Sequence, residues 1–127
     1  MNVIAIGVAR TPYATPEECP PQPRPDGPEA RIEIDEPYRE GLAGLDRNDT
    51  VEVLMWFDAA RRDLLHQRSG MHPEWGVTGV FSLRSPHRPN PIGISAVDLV
   101  RVEANAIVVR GLDCVDGTAV IDIKPKL

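Results

Sequence analysis

Very little in this sequence is aromatic: two Trp, two Tyr and two Phe, 5% of 127 residues. Cysteine is also nearly absent, with Cys19 and Cys114 far apart and in no metal-ligand spacing. That excludes a disulfide-framed secreted scaffold, and the expectation is two free thiols and no metal. No apolar run approaches the ~20 residues of a membrane span. The opening Met-Asn-Val-Ile-Ala-Ile-Gly-Val carries no basic leader or cleavage site, so a soluble cytoplasmic protein without a secretory signal is expected. A Gly-rich phosphate loop between a strand and a long helix is missing, which excludes a Rossmann-type domain. Positive charge is short as well. The net charge of −5 argues against a protein that coats nucleic acid through bulk charge.

What is present is uneven. Between Glu17 and Glu52 stand eleven acids against four arginines, whereas Val53–Val100 holds four acids, five arginines and all three histidines. An anionic partner should therefore meet the second segment. Hydrophobic residues make up 42% and charged residues 26%, the balance of one globular domain spanning 1–127.

Proline is plentiful and clustered. Seven prolines fall within Pro12–Pro28, a segment that can form neither a central strand nor a helix interior. Strands flank it, so an ordered loop crossing the surface is expected. Period-two or β-branched runs predict strands over Val3–Val8, Ala30–Ile34, Val51–Phe57, Val77–Leu83, Ile92–Val102, Ala106–Arg110 and Ala119–Ile123. The Val51 strand, apolar along most of its length, reads as buried on both faces for part of it. Turns are expected at Glu103–Asn105 and Asp116-Gly117, and a single helical turn between Glu36 and Leu42. Asp58–Arg68 reads as the one convincing helix, capped by Asp58 and stopped at Gly70. The fold class is mainly β: a small single-domain β-barrel with one short helix.

The segment richest in chemistry is Gly79-Val-Phe-Ser-Leu-Arg-Ser-Pro-His-Arg-Pro-Asn-Pro-Ile-Gly-Ile94. Its prolines restrict Ser85, Arg88 and Asn90 to extended backbone, so the loop loses little entropy when a ligand engages its arginines. Arg84 and Arg88 are candidate anion-binding groups. Asn90 either belongs to a site or holds the loop together. His87 reads as a bystander. A Ser85/His87/Asp122 hydrolase lacks the nucleophile-elbow glycines, and a zinc site from Cys19, Cys114, His66 and His72 has no supporting spacing.

This segment and Leu112-Asp-Cys-Val-Asp-Gly-Thr-Ala-Val-Ile-Asp-Ile-Lys-Pro125, with Ile6-Gly-Val-Ala-Arg-Thr-Pro-Tyr13, resemble the TsaA-like (TrmO-type) family over essentially the whole chain. The resemblance implies a dimeric β-barrel that binds S-adenosylmethionine and methylates the exocyclic nitrogen of a threonylcarbamoyl-modified adenosine beside the tRNA anticodon. Carried over, the cofactor positions fall on Pro21, Gln22 and Pro23, Phe57 and Asp58, Arg84, Ile94, and Asp116, Gly117 and Thr118. Phe57, Leu112 and Ile94 are candidate walls for an adenine, and Asp116 and Thr118 candidate partners for ribose hydroxyls. Arg88, toward an anionic substrate, and Asp122, as a base, are the candidate catalytic residues; Asp122 holding loops together through Lys124 is an equal alternative. Asp58 stands where many relatives carry histidine. The expected partners are a second copy of the chain and tRNA. A non-catalytic cofactor- or nucleotide-binding sensor module and a methyltransferase for a small metabolite are the competing readings.

Overall fold

Alternating burial organises most of the strands. The computed structural model describes residues 1–127, and the chain parts into two compact units: Met1–Trp56 with Ile94–Leu127, and Phe57–Gly93. In the first unit β3 (Thr50–Trp56) buries every second residue, with Val51, Val53 and Met55 nearly inaccessible. The expectation of two buried faces fails for this strand: Glu52, Leu54 and Trp56 are half-exposed. It holds instead for the short apolar run of β7 (Ala106–Arg110), whose first four residues are all buried.

The first unit is a closed barrel. With β1 (Gly7–Arg10), β2 (Glu29–Ile34), β6 (Ile92–Val102) and β8 (Ala119–Pro125), the strand order is β1-β2-β7-β6-β3-β8, and the strands run antiparallel. Closure removes the free edges that an open sheet would expose. Ladder irregularities at Leu54/Met55 and Leu99/Arg101 add the local twist that a small barrel needs. Ala9, Ile32, Val51, Val53, Ile107, Val109, Leu112 and Val120 fill the core. Gly7 is required where β1 meets β2, because a Cβ there would collide with the Glu33 carbonyl.

The mainly β reading of the sequence therefore stands, with local differences. The first strand begins at Gly7 rather than Val3, and Val3 and Ile4 are exposed. The helical turn in Glu36–Leu42 is a seven-residue 3-10 helix. The expected 103–105 turn joins β6 to β7, closed by Glu103 N–H donating to the Ala106 carbonyl at 2.8 Å.

The second unit, Phe57–Gly93, overturns a larger expectation: residues 58–68 form no α-helix. A turn closes at Ala60 N–H to the Phe57 carbonyl (3.1 Å) and goes no further. The next amide, Arg61 N–H, donates to His87 Nδ1 (3.0 Å) instead. Arg62 reaches the Pro89 carbonyl and Asn90 Oδ1. His66–Arg68 becomes a strand (β4) paired with β5 (Val77–Gly79). The good helix formers here are too few to outweigh these tertiary bonds. The Val77 strand is correspondingly short, giving way to a 3-10 turn at Val80–Ser82.

Candidate functional site

In the Phe57–Gly93 unit the proline framework fixes the loop from Arg84 to Pro91, and an arginine locks it from within. Arg88 donates from Nε to the Ser85 carbonyl (2.9 Å), from Nη1 to the Ile92 carbonyl (2.7 Å) and from Nη2 to the Arg84 carbonyl (3.0 Å). Three main-chain carbonyls thus engage all three nitrogens of the fork. The expectation that Arg88 reaches an anionic substrate is corrected on that ground: the group is half-buried and spent on its own backbone. Burial, and then the neighbouring Arg84 cation, lower its pKa from the usual guanidinium value. Arg84 itself is exposed and its guanidinium meets no hydrogen-bond acceptor or carboxylate.

Asn90 belongs to the same lock, accepting from Arg62 through Oδ1 (3.2 Å) and from Ile92 N–H through its carbonyl (2.7 Å). His87 Nδ1 accepts from the Arg61 backbone amide, which places the ring proton on Nε2 and leaves no lone pair to take one from Ser85, so the hydrolase reading loses its base. Phe57 donates its N–H to the Pro91 carbonyl, and its ring lies over Gly93 so closely that any Cβ there would overlap it. Asp58 is exposed in the turn; with no helix present its cap role falls away.

In the barrel unit the proline-rich segment is pinned by backbone contacts. Arg24 N–H donates to the Gly111 carbonyl (3.1 Å) and Gly111 N–H to the Pro28 carbonyl (2.9 Å). Gly111 has φ +81°, and a Cβ on it would sit on the Arg24 carbonyl oxygen. Pro21 and Gln22 are left exposed on this pinned loop, and Pro23 is half-buried.

The Asp116 turn is tied to the start of that segment. Asp116 Oδ1 accepts from Thr11 N–H (3.1 Å), and Asp116 N–H donates to the Tyr13 carbonyl (2.7 Å). Thr11 Oγ1 donates to the Cys114 carbonyl (2.7 Å). Gly117 supplies the left-handed φ of +86° that the turn requires. Thr118 spends its hydroxyl proton on the Val115 carbonyl (2.6 Å), keeping its lone pairs as acceptors. Ile94 is exposed on β6. Leu112, a candidate adenine wall, is 1% exposed and belongs to the core, so that expectation is corrected.

Sequence reasoning underrated one pair. Ser95 Oγ donates to Asp113 Oδ1 at 2.8 Å, and Ser95 is itself buried. Burial, outweighing this hydrogen bond, raises the Asp113 carboxyl above the usual value for aspartate. Its neighbour Cys114 is pushed by burial up to about 12, an inert thiol; both cysteines are free. The only available signal was the position of Asp113 between buried Leu112 and Cys114.

Asp122 lies elsewhere on the barrel. It lines a cavity of about 410 Å³ with Ile6, Ile34, Tyr38, Leu42 and Lys124, and none of the expected cofactor residues lines that cavity. Its Oδ1 accepts from Lys124 Nζ (2.7 Å) and from Ile123 N–H (2.9 Å), which is the structural alternative weighed for it. No group of three His, Cys, Asp or Glu side chains comes together to hold a metal, and no helix is long and apolar enough to cross a membrane.

A closed non-Rossmann barrel and a proline-framed arginine loop define the class. The family model of the tRNA-methyltransferase O N-terminal domain matches residues 8–127, and the chain belongs to that family. It is 43% identical over 124 residues to a probable S-adenosyl-L-methionine-binding protein, VirR, of Rhizobium radiobacter, covering 98% of this chain and 70% of that one. To the tRNA (adenine(37)-N6)-methyltransferase of Mus musculus it is 58% identical over 89 residues, covering 68% of this chain and 20% of the mouse protein. The crystal structure of TrmO from Pseudomonas aeruginosa superposes with a TM-score of 0.81 at 34% identity, over all of this chain and 56% of that one.

Proposed function

We propose that this protein is an S-adenosylmethionine-dependent methyltransferase acting on tRNA, at the exocyclic nitrogen of a threonylcarbamoyl-modified adenosine in the anticodon loop. The observation that carries the reading is the division of labour in the proline loop. Arg88 locks the backbone, and Arg84 is left exposed and unpaired. An exposed guanidinium without a protein partner, carried on a backbone that Arg88 braces, is suited to a carboxylate or phosphate of a ligand.

The residue types proposed for the site suit the cofactor's groups. S-adenosylmethionine supplies an electrophilic methyl group when bound, and offers a carboxylate, ribose hydroxyls and an adenine for recognition. In the Phe57–Gly93 unit, Arg84 is suited to the carboxylate and Asp58 to a hydroxyl or to the sulfonium charge. In the barrel unit, Asp116 has one carboxylate oxygen without a hydrogen bond and Thr118 has acceptor lone pairs, as ribose hydroxyls require. Pro21, Gln22, Pro23, Phe57, Ile94 and Gly117 complete the proposed set. Arg88 acts as a positioning residue. With Asp122 engaged by Lys124, the rate rests on alignment of donor and acceptor more than on a strong base. A cytoplasmic homodimer is the proposed working form, and sedimentation of the purified chain tests the dimer.

Two measurements decide the reading. Calorimetry should detect binding of S-adenosylmethionine, weakened at least tenfold by Arg84→Ala, the order of loss for a charge-assisted pair. Incubation with bulk tRNA and labelled donor should label the RNA, and nucleoside mass spectrometry of a digest should find one added methyl on the threonylcarbamoyl adenosine. Donor binding without transfer favours the second reading, a sensor module, which the names of relatives such as VirR support because they specify only S-adenosylmethionine binding. Label in a small-molecule fraction favours a metabolite methyltransferase.

A further inference from the structure

We propose that the Phe57–Gly93 unit carries a stacking surface for unpaired bases of the RNA substrate, formed by Phe81, the His72–Trp75 ring pair and Arg68. The inference rests on the RNA reading above and adds the surface that grips the strand.

Four of the six aromatic residues are tucked away or only partly exposed; Phe81 and Trp75 are the pair most open to water for their size. Phe81 is 91% exposed, although the neighbouring Val80 is 7% exposed and anchors the same 3-10 turn. The turn therefore holds the Phe81 ring outward. Trp75, 49% exposed, lies parallel to His72 with ring centroids 3.9 Å apart and 7° between the planes. That pair is fixed before any ligand arrives. Ser69 Oγ accepts from the Met71 and His72 amides, and His72 Nδ1 lies 3.0 Å from a Glu74 carboxylate oxygen. A ring pair so braced loses little freedom when a base stacks on it.

The β4–β5 register adds charge. Arg68 stands opposite Val77, and both are exposed, while Gln67 and Thr78 on the other face are half-buried. The Arg68 guanidinium has no acceptor or carboxylate partner. Within this unit five arginines face three carboxylates, and two of those, Asp63 and Glu74, are engaged by Arg61 and His72. The remainder of the chain carries nine cations against sixteen carboxylates, so the net positive charge lies in this unit. Exposed aromatic planes and unpaired arginines carried by one unit match a single strand, where base faces stack and phosphates pair. A second copy fits less well, because a two-fold interface would set this positive surface against itself.

The test uses the full chain and a fluorescein-labelled anticodon stem–loop RNA, with affinity read by anisotropy. Phe81→Ala and Trp75→Ala should each weaken binding by about tenfold, the scale of one lost base stack. Phe81→Leu, which keeps apolar bulk without a ring, should lose as much as alanine, and Phe81→Tyr should retain wild-type affinity. Arg68→Ala should lower the slope of log K against log salt by about one. Donor binding by calorimetry should be unchanged in all five variants. Wild-type RNA binding with unchanged affinity in the aromatic variants overturns this inference alone. If Phe81→Ala also converts a sedimenting dimer to monomer, the surface joins copies and the proposal is likewise overturned. Failure of the wild type to bind RNA at all overturns the RNA reading and this inference with it.

Discussion

The barrel and the Phe57–Gly93 unit are held by different chemistry. The barrel is held by ladders: backbone pairs with backbone, and alternate side chains go to the core. The other unit has one short two-stranded pairing, His66–Arg68 with Val77–Gly79, and isolated backbone bonds in its turns, with side chains donating to carbonyls tying its proline loop. Arg88 engages three such carbonyls and Arg62 a fourth. Backbone ladders are generic to sequence once the period is right. Side-chain ties depend on individual residues, so removing one should loosen the loop without touching the barrel.

The largest effect should come from a backbone contact in the barrel unit. Gly111→Ala places a Cβ on the Arg24 carbonyl at a φ of +81°, so either the proline-rich segment lifts or the turn rearranges. A loss of about 3 kcal/mol or more in urea denaturation is expected, as for overpacking combined with backbone strain. A loss below ~0.5 kcal/mol, the scale of an ordinary surface change, would show that this contact is not a fixed part of the barrel.

Arg88→Ala should act next most strongly and locally. It strands three carbonyls that one cation now serves, at about 1–3 kcal/mol for each that stays buried and unpaired. Hydrogen exchange should accelerate across 84–92 while the β2 and β7 amides keep their protection. Arg88→Lys should rescue little, because an ammonium cannot span three acceptors in a planar fork. Uniform loss of protection in both units would erase the proposed contrast.

This contrast also explains what the sequence disclosed. Val51-Glu-Val-Leu-Met and Ala30-Arg-Ile-Glu-Ile announce their strands because period two is a local property, and most of the barrel could be read from it. The Phe57–Gly93 unit departs from its helical reading because Asp58, Ala59, Ala60, Leu64 and Leu65 suit a helix locally, while the competing partners His87, Pro89 and Asn90 lie far along the chain. The stiffness of the proline loop was legible, since proline acts on its own neighbours. The roles of its two arginines were not: only the fold shows which is turned onto its own backbone. The burial of Asp113 and its bond to Ser95 are illegible for a similar reason, being products of barrel closure.

The smallest expected effect lies at that buried pair, and it probes the barrel unit through pH. Burial raises the Asp113 carboxyl above the ordinary value of 3.8, so the folded state holds its proton to higher pH than the unfolded chain does. Stability from this group is therefore full below the unfolded value and is lost as pH climbs through the raised one. Asp113→Asn keeps an acceptor for Ser95 and removes the charge. Its melting temperature relative to wild type should rise with pH across the acid range and then level off, with a gain of about a degree or two at neutrality. A difference that stays flat with pH, or that grows toward acid, would mean that Asp113 is ionised at no cost in the barrel wall, and that the Ser95 bond outweighs burial there.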